Sequence, residues 1–147
     1  MDALKIILVP TDFSAASERA LDYALALASK LEAKVFLLHT YELPIIGFPD
    51  GTLVPSAEIV SRLLSEAERE LAACVAKRKE SGASIVTLLR QGDAREAILV
   101  AAEEISADLV VMGTHGRRGI TRALIGSVAE AIVRVASVPV LTVHAAA

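Results

Sequence analysis

A glycine-rich stretch near the carboxyl end of the chain is the first chemically suggestive feature. Gly113 and Gly116 are separated by two residues, and nine residues lie between Gly116 and the pair Gly126 and Ser127. Glycine lets backbone N–H groups approach phosphate oxygens without a Cβ in the way. A helix that begins at Gly126, Ser127 and Val128 adds unpaired N–H donors and the positive end of its dipole. The hydroxyl of Ser127 is interpreted both as the N-cap of this helix and as a phosphate ligand. We interpret the stretch as a phosphate cradle, with a set of tight turns as the alternative.

The charge of this stretch differs from that of the whole chain. Between Gly113 and Ser127 there are His115 and three arginines and no acidic residue, although the 147-residue chain has a net charge of −3. The local charge favours a small anion, while the overall charge does not indicate a nucleic-acid or anionic-membrane surface. Arg117 and Arg118 are candidates to hold terminal phosphates. The alternative is that both side chains are only exposed to solvent.

Five short apolar runs, most of them hardly interrupted by polar residues, predict strands that are buried on both faces. Such strands are typical of a parallel sheet covered by helices. The runs are Ile6 to Val9, Val35 to Leu38, Ile85 to Leu89, Leu109 to Met112 and Val138 to Val143.

Helical periodicity fills the segments between these runs. Helices are predicted from about 14 to 31 with Ser14 as the N-cap, from Ser56 towards a C-cap at Gly82, behind a capping box at Asp93, and from about Gly126 to Ala136. The alternation predicts one α/β domain over residues 1–147, a Rossmann-like open five-stranded parallel sheet with helices on both faces. The long connection 41–55 is interpreted as either a functional flap or a surface insertion.

The carboxyl ends of the strands are the place to look for a ligand. Open α/β sheets bind ligands where the winding direction reverses. In a strand order of 3-2-1-4-5 the first and fourth strands are neighbours at that point. Asp12, which follows Pro10 and Thr11 at the end of the first strand, would then face the glycine loop that begins at Gly113.

These residues resemble the universal stress protein family, and in particular its nucleotide-binding branch, which shows the same spacing of Gly-two-Gly-nine-Gly-Ser/Thr. The resemblance covers the whole chain. It is carried by residues 7–14 (Ile-Leu-Val-Pro-Thr-Asp-Phe-Ser), 38–39, 112–116, 126–128 and 137–141.

The resemblance implies that this chain binds ATP, and ADP or AMP would use the same nucleoside contacts. Pro10, Thr11 and Asp12 are expected on the adenine and ribose side, and Thr40 is expected to offer backbone groups to adenine. The ribose and phosphates, often with a divalent ion such as Mg²⁺ on the phosphates, are expected at Met112, Gly113, His115, Gly116, Arg117, Gly126, Ser127 and Val128.

Other functions fit the residues less well. The chain has no Gly-Lys-Ser/Thr sequence and no acidic residue near the loop, so an ATPase or phosphotransfer enzyme would be slow. A phosphoacceptor receiver domain needs an acidic neighbour for Asp12 and a lysine after the fifth strand, and both are missing. A nucleotide-free scaffold of the same family would lack the glycine pattern. Three histidines without a cysteine or acidic cluster predict no protein-built metal site, and His39 is interpreted as a structural residue.

The expected setting is a homodimer in the cytoplasm. The chain starts without a signal-peptide pattern, contains no membrane-length apolar run and has a single cysteine, which fits a reducing compartment. The uncharged run Val138 to Val143 would lie at the sheet edge, and edge strands invite pairing with a second copy. The resemblance implies the same dimer, whereas a tail folded over the edge would keep a monomer.

Overall fold

The computed structural model describes residues 2–115 and 125–145, which form eleven helices and strands and one short 3₁₀ turn. In chain order they are β1 (Ile6–Pro10), α1 (Ala15–Leu31), β2 (Lys34–Tyr41), β3 (Ile46–Phe48), β4 (Gly51–Leu53), α2 (Ala57–Ala76), the 3₁₀ turn Lys79–Ser81, β5 (Ile85–Gln91), α3 (Ala94–Glu104), β6 (Leu109–Gly113), α4 (Ser127–Val135) and β7 (Val140–Val143).

Five of the strands form one parallel sheet in the order β5-β2-β1-β6-β7. Counted along the chain within this sheet, the order is 3-2-1-4-5, which confirms the predicted topology. The winding reverses between β1 and β6, so the ends of these two strands lie side by side. The edge strand β7 begins at Val140, two residues later than predicted, and Pro139 contributes only its carbonyl to β6.

The sheet separates two apolar layers because successive side chains of a strand point to opposite faces. On one face Ile7 and Val9 of β1 pack with residues of α1 and α2, and on the other face Leu8 packs with residues of α3 and α4. Both faces are therefore covered, as the near-continuous apolar runs predicted. In the described part of the chain, no helix is long and apolar enough to cross a bilayer.

Three of the four helices begin with a side-chain cap. The hydroxyls of Ser14 and Ser56 and the carboxylate of Asp93 accept backbone N–H groups of the first turns of α1, α2 and α3. The predicted end of α2 was wrong, because the helix stops at Ala76. Gly82 instead follows the 3₁₀ turn, where its φ of 71° is left-handed.

The long connection after β2 contains an antiparallel ribbon of β3 and β4. It carries large apolar side chains at the surface: Ile46 and Phe48 are each 53% exposed, and Leu53 is 58% exposed. The connection therefore has secondary structure of its own on the outside of the domain.

Candidate functional site

A cleft of about 590 Å³ opens beyond the carboxyl ends of the central strands. Every described residue that the sequence assigned to the site lines it, namely Pro10, Thr11, Asp12, Thr40, Met112, Gly113, His115, Gly126, Ser127 and Val128. Gly116 and Arg117, which the sequence also assigned to the site, lie outside the described residues. The shared location follows from the sheet order, which brings the ends of β1, β2 and β6 together.

The end of β1 forms a tight hydrogen-bonded turn around Asp12. The buried hydroxyl of Thr11 accepts the backbone N–H of Phe13 at 3.0 Å and lies 3.1 Å from the hydroxyl of Ser17. One carboxylate oxygen of Asp12 accepts the backbone N–H of Ser14 at 3.0 Å. The bond from Ser14 holds this carboxylate at the edge of the cleft.

Phe13 and His39 brace this turn from the side. Phe13 has a left-handed φ of 63°, which costs a residue with a Cβ about 1–2 kcal/mol. Its ring packs on the ring of His39 at a centroid distance of 4.5 Å, and Nδ1 of His39 lies 2.8 Å from the carbonyl oxygen of Thr11. The contact offsets part of the strain, and His39 is a structural residue, as the sequence predicted.

Thr40 presents its backbone, rather than its side chain, to the end of β1. The carbonyl of Leu38 accepts the N–H of Thr11 on the β1 side of β2, and the carbonyl of Tyr41 accepts the N–H of Gly92 on the β5 side. Backbone polar groups alternate between the two sides of a strand. The N–H and C=O of Thr40 therefore point to the β1 side, beyond the last residue of β1, into the space of the cleft.

Gly113 is required by packing. A Cβ at this position would lie 2.8 Å from the carbonyl carbon of Ala16 and 3.0 Å from the backbone nitrogen of Ser17. The glycine pattern predicts that a phosphate approaches Gly113, but the first turn of α1 already occupies the space that a side chain needs. The glycine thus allows β6 and α1 to approach each other beneath the cleft.

The N-terminus of α4 differs from those of the other helices. Its N-cap is Gly126, and no side chain within residues 2–115 and 125–145 caps it. Ser127 is the first helical residue, so its predicted role as the N-cap was wrong, although it lines the cleft. The first N–H groups of a helix have no acceptor within the helix itself, and such a helix end attracts anions.

A cluster of polar side chains that sequence reasoning missed lies behind this helix end. The hydroxyl of Thr114 is 3.0 Å from Nδ1 of His115 and 3.2 Å from Nδ1 of His144. The carbonyl of Thr114 accepts the N–H of Gly126 at 2.6 Å, which joins the cluster to α4. Nothing in the sequence spacing pairs His144 with Thr114, because the pairing depends on the register of β6 and β7.

The opposite end of the cleft was also missed. It is lined by Glu42 and by the start of α3, where the carboxylate of Asp93 accepts the N–H groups of Arg95 and Glu96 at 2.9 and 3.3 Å. Arg95 also lies 3.6 Å from this carboxylate through its Nε. Within residues 2–115 and 125–145, no group of three or more His, Cys, Asp and Glu residues could hold a metal ion.

Comparisons with known proteins agree with this architecture. A model of the universal stress protein family matches residues 3–144. A universal stress protein of Methanocaldococcus jannaschii is 38% identical over 142 residues, which cover 95% of this chain and 81% of the relative.

Two solved structures resemble the fold over nearly its full length. A second universal stress protein of the same archaeon has a TM-score of 0.79 at 27% identity, with 99% of each chain covered. A universal stress protein in complex with cAMP has a TM-score of 0.73 at 28% identity, covering 99% of this chain and all of the other.

Proposed function

This chain belongs to the universal stress protein family, and we propose that it binds ATP in the cleft between Asp12 and the start of α4 and acts as a nucleotide-responsive regulatory module. The observation that carries the proposal is the N-terminus of α4, which no described side chain caps and which opens into the same cleft as the Asp12 carboxylate and the Thr40 backbone. One end of the cleft thereby suits phosphate, and the other suits a nucleoside.

The nucleoside end matches the hydrogen-bonding groups of adenosine. A carboxylate accepts hydrogen bonds from ribose hydroxyls. A neighbouring backbone N–H can donate to N1 of adenine, and the backbone C=O can accept from its amino group. Asp12 and Thr40 supply these groups from adjacent strands. A related protein of known structure holds cAMP, which contains the same base and sugar, and this supports a nucleotide as the ligand.

The phosphate end favours binding over rapid turnover. Phosphoryl transfer needs cationic groups and a residue that orients the attacking group close to the γ-phosphate. The glycine-rich stretch contains neither a lysine nor an acidic residue. We expect at most slow hydrolysis, with a divalent ion such as Mg²⁺ on the phosphates rather than on protein ligands.

The regulatory part of the proposal concerns assembly in the cytoplasm. The edge strand β7 has uncharged side chains, and among the described residues it pairs with a strand on one side only, so we expect two copies to pair there as a homodimer. Sedimentation of the parent and of Leu141→Lys tests this expectation. A monomeric parent at micromolar concentration would contradict it.

Calorimetry with ATP and adenosine tests the binding site. Asp12→Asn removes the negative charge but keeps an oxygen for the N–H of Ser14, so the turn is preserved. The affinity for both ligands is expected to fall by a similar factor, about 10- to 140-fold, which corresponds to roughly 1.5–3 kcal/mol for a charged hydrogen bond.

Asp50→Asn is the matched control, because this aspartate lies in the exposed turn between β3 and β4. It should bind both ligands like the parent. Failure of the parent to bind ATP, or an equal loss in the two variants, would overturn the proposed function. Mass spectrometry of a denatured extract adds an independent readout, since a resident nucleotide would be released.

A further inference from the structure

Thr114 is a buried junction between the edge of the sheet and the cleft. The residue is 1% exposed. Its N–H donates to the carbonyl of Val143 at the end of β7, and its carbonyl accepts the N–H of Gly126, the N-cap of α4. One residue therefore connects the edge strand to the helix end that faces the cleft.

The hydroxyl of Thr114 also contacts two imidazole rings. It lies within hydrogen-bond distance of Nδ1 of both His115 and His144, at 3.0 and 3.2 Å. A hydroxyl has one proton to donate and two lone pairs to accept with. It can donate to only one of these nitrogens, so the other must carry a proton and donate it to the hydroxyl oxygen.

The surroundings of the two rings indicate which nitrogen carries the proton. Nε2 of His115 is buried and has no hydrogen-bond partner among the described residues, and the residue lines the cleft. His144 is exposed, so its Nε2 can bond to water. A phosphate oxygen only accepts, and it would need a proton on Nε2 of His115. The bare Nδ1 of that ring then receives the Thr114 proton, and His144 donates from its own Nδ1.

We propose that Thr114 and His144 are positioning residues that hold neutral His115 with its proton on Nε2, ready to donate to a phosphate of the bound nucleotide. The chain of bonds runs from Nδ1–H of His144 to the hydroxyl of Thr114 and from that hydroxyl to Nδ1 of His115. This inference rests on the proposed function and deepens it, because it makes the edge strand part of the phosphate site.

Imidazole ¹⁵N NMR tests the order of the protons without any ligand. At alkaline pH, where imidazoles are neutral, the parent should show His144 protonated on Nδ1 and His115 protonated on Nε2. Thr114→Val removes the hydroxyl while keeping the shape of the side chain, and the Nδ1–H form of His144 should be lost. A parent in which His144 is protonated on Nε2 would overturn the proposal.

Ligand affinity tests the consequence at the phosphate. His144→Ala and Thr114→Val should weaken ATP by about 2- to 10-fold, the range expected for one neutral hydrogen bond, and should leave adenosine unchanged. Thr114→Ser keeps the hydroxyl and should bind like the parent. Thr142→Val removes a hydroxyl from the middle of β7 and is the matched control. His144 is exposed, so its replacement provides a folded variant even if Thr114→Val is destabilised.

The outcomes separate this inference from the proposed function. If the parent binds neither ATP nor adenosine, the proposed function fails and the phosphate role fails with it, while NMR still reports the proton order. If the parent binds both but His144→Ala leaves ATP unchanged, only the positioning role is overturned. Equal losses for ATP and adenosine would show a structural role and would also overturn it.

Discussion

Helices α3 and α4 begin at the same cleft, but their N-cap residues differ in whether a side chain accepts the first backbone N–H groups. Both helices follow a strand of the same parallel sheet, β5 for α3 and β6 for α4. At α3 the carboxylate of Asp93 accepts two of these N–H groups. At α4 the N-cap is Gly126, which has no side chain to offer.

The same fold therefore contains one helix N-terminus with a capping side chain and one whose N-cap residue has none. The first N–H groups of a helix need an acceptor, and a capping side chain supplies one at all times. A glycine at the N-cap has no side chain to supply this acceptor, so it has to come from another group, such as water or a ligand. The carboxylate at α3 also repels anions, so the two ends of the cleft differ in charge preference, and phosphate is expected only at α4.

The largest expected effect comes from making α4 resemble α3. Gly126 has φ −62° and ψ 157°, an extended conformation that aspartate adopts at N-caps, so Gly126→Asp is compatible with the backbone. The new carboxylate should occupy the N–H groups and repel phosphate. We expect a loss of ATP affinity of about 10- to 140-fold, or more with the added repulsion, with adenosine affinity unchanged in the same calorimetric titrations.

Thermal unfolding supplies the control for this variant, because a capping aspartate should leave α4 as stable as before or slightly more stable. The reverse change, Asp93→Gly, should cost only a few tenths of a kcal/mol of stability and leave ATP affinity intact. If Gly126→Asp binds ATP as tightly as the parent, the phosphates do not lie at α4.

A smaller effect distinguishes the glycines at the ends of β5 and β6. Gly92, before α3, has a left-handed φ of 125° and open space around it, whereas Gly113 at the end of β6 is crowded by α1. Gly113→Ala would place a Cβ 2.8 Å from the backbone of Ala16. Overpacking of this kind costs about 1–3 kcal/mol, which urea denaturation would detect as a lower free energy of unfolding.

Gly47→Ala is the matched control, because a Cβ at Gly47 meets nothing within 4 Å. Its free energy of unfolding should stay close to that of the parent. A Gly113→Ala variant as stable as the parent would mean that α1 moves away from β6 without cost, and the packing explanation for this glycine would be wrong.

Much of this organisation could be predicted from the sequence because it depends on local patterns. The apolar runs predicted all five strands of the main sheet, and Ser14 and Asp93 were correctly identified as caps. Once the strand order was inferred, the placement of Asp12 opposite Gly113 followed from topology alone. The family resemblance was also confirmed by the family match over residues 3–144.

Other features could not be predicted because they depend on distances between segments far apart in the chain. The crowding of Gly113 by Ala16 and the contact of Thr114 with His144 are set by the packing of β6 against α1 and β7. The end of α2 and the cap of α4 were wrong for a different reason. Gly82 and Ser127 are residues that several local conformations accept, and tertiary packing selected among them.

The smallest effect concerns a third carboxylate that, like Asp93, already holds backbone N–H groups. Oδ2 of Asp108 accepts the N–H groups of Lys5 and Ile6 at 2.9 and 2.8 Å, where β1 begins beside β6. The bond from Lys5, followed by that from Ile6, lowers the pKa of Asp108.

A carboxyl group whose pKa is lower in the folded protein stabilises the fold above its unfolded pKa of about 3.9, and this contribution is lost as the pH falls through the folded pKa. The free energy of unfolding of the parent should therefore exceed that of Asp108→Asn most clearly above about pH 4 and approach it at lower pH, in urea titrations run at several pH values. A gap between parent and Asp108→Asn that stays constant with pH would mean that the charged form of Asp108 contributes nothing through these bonds.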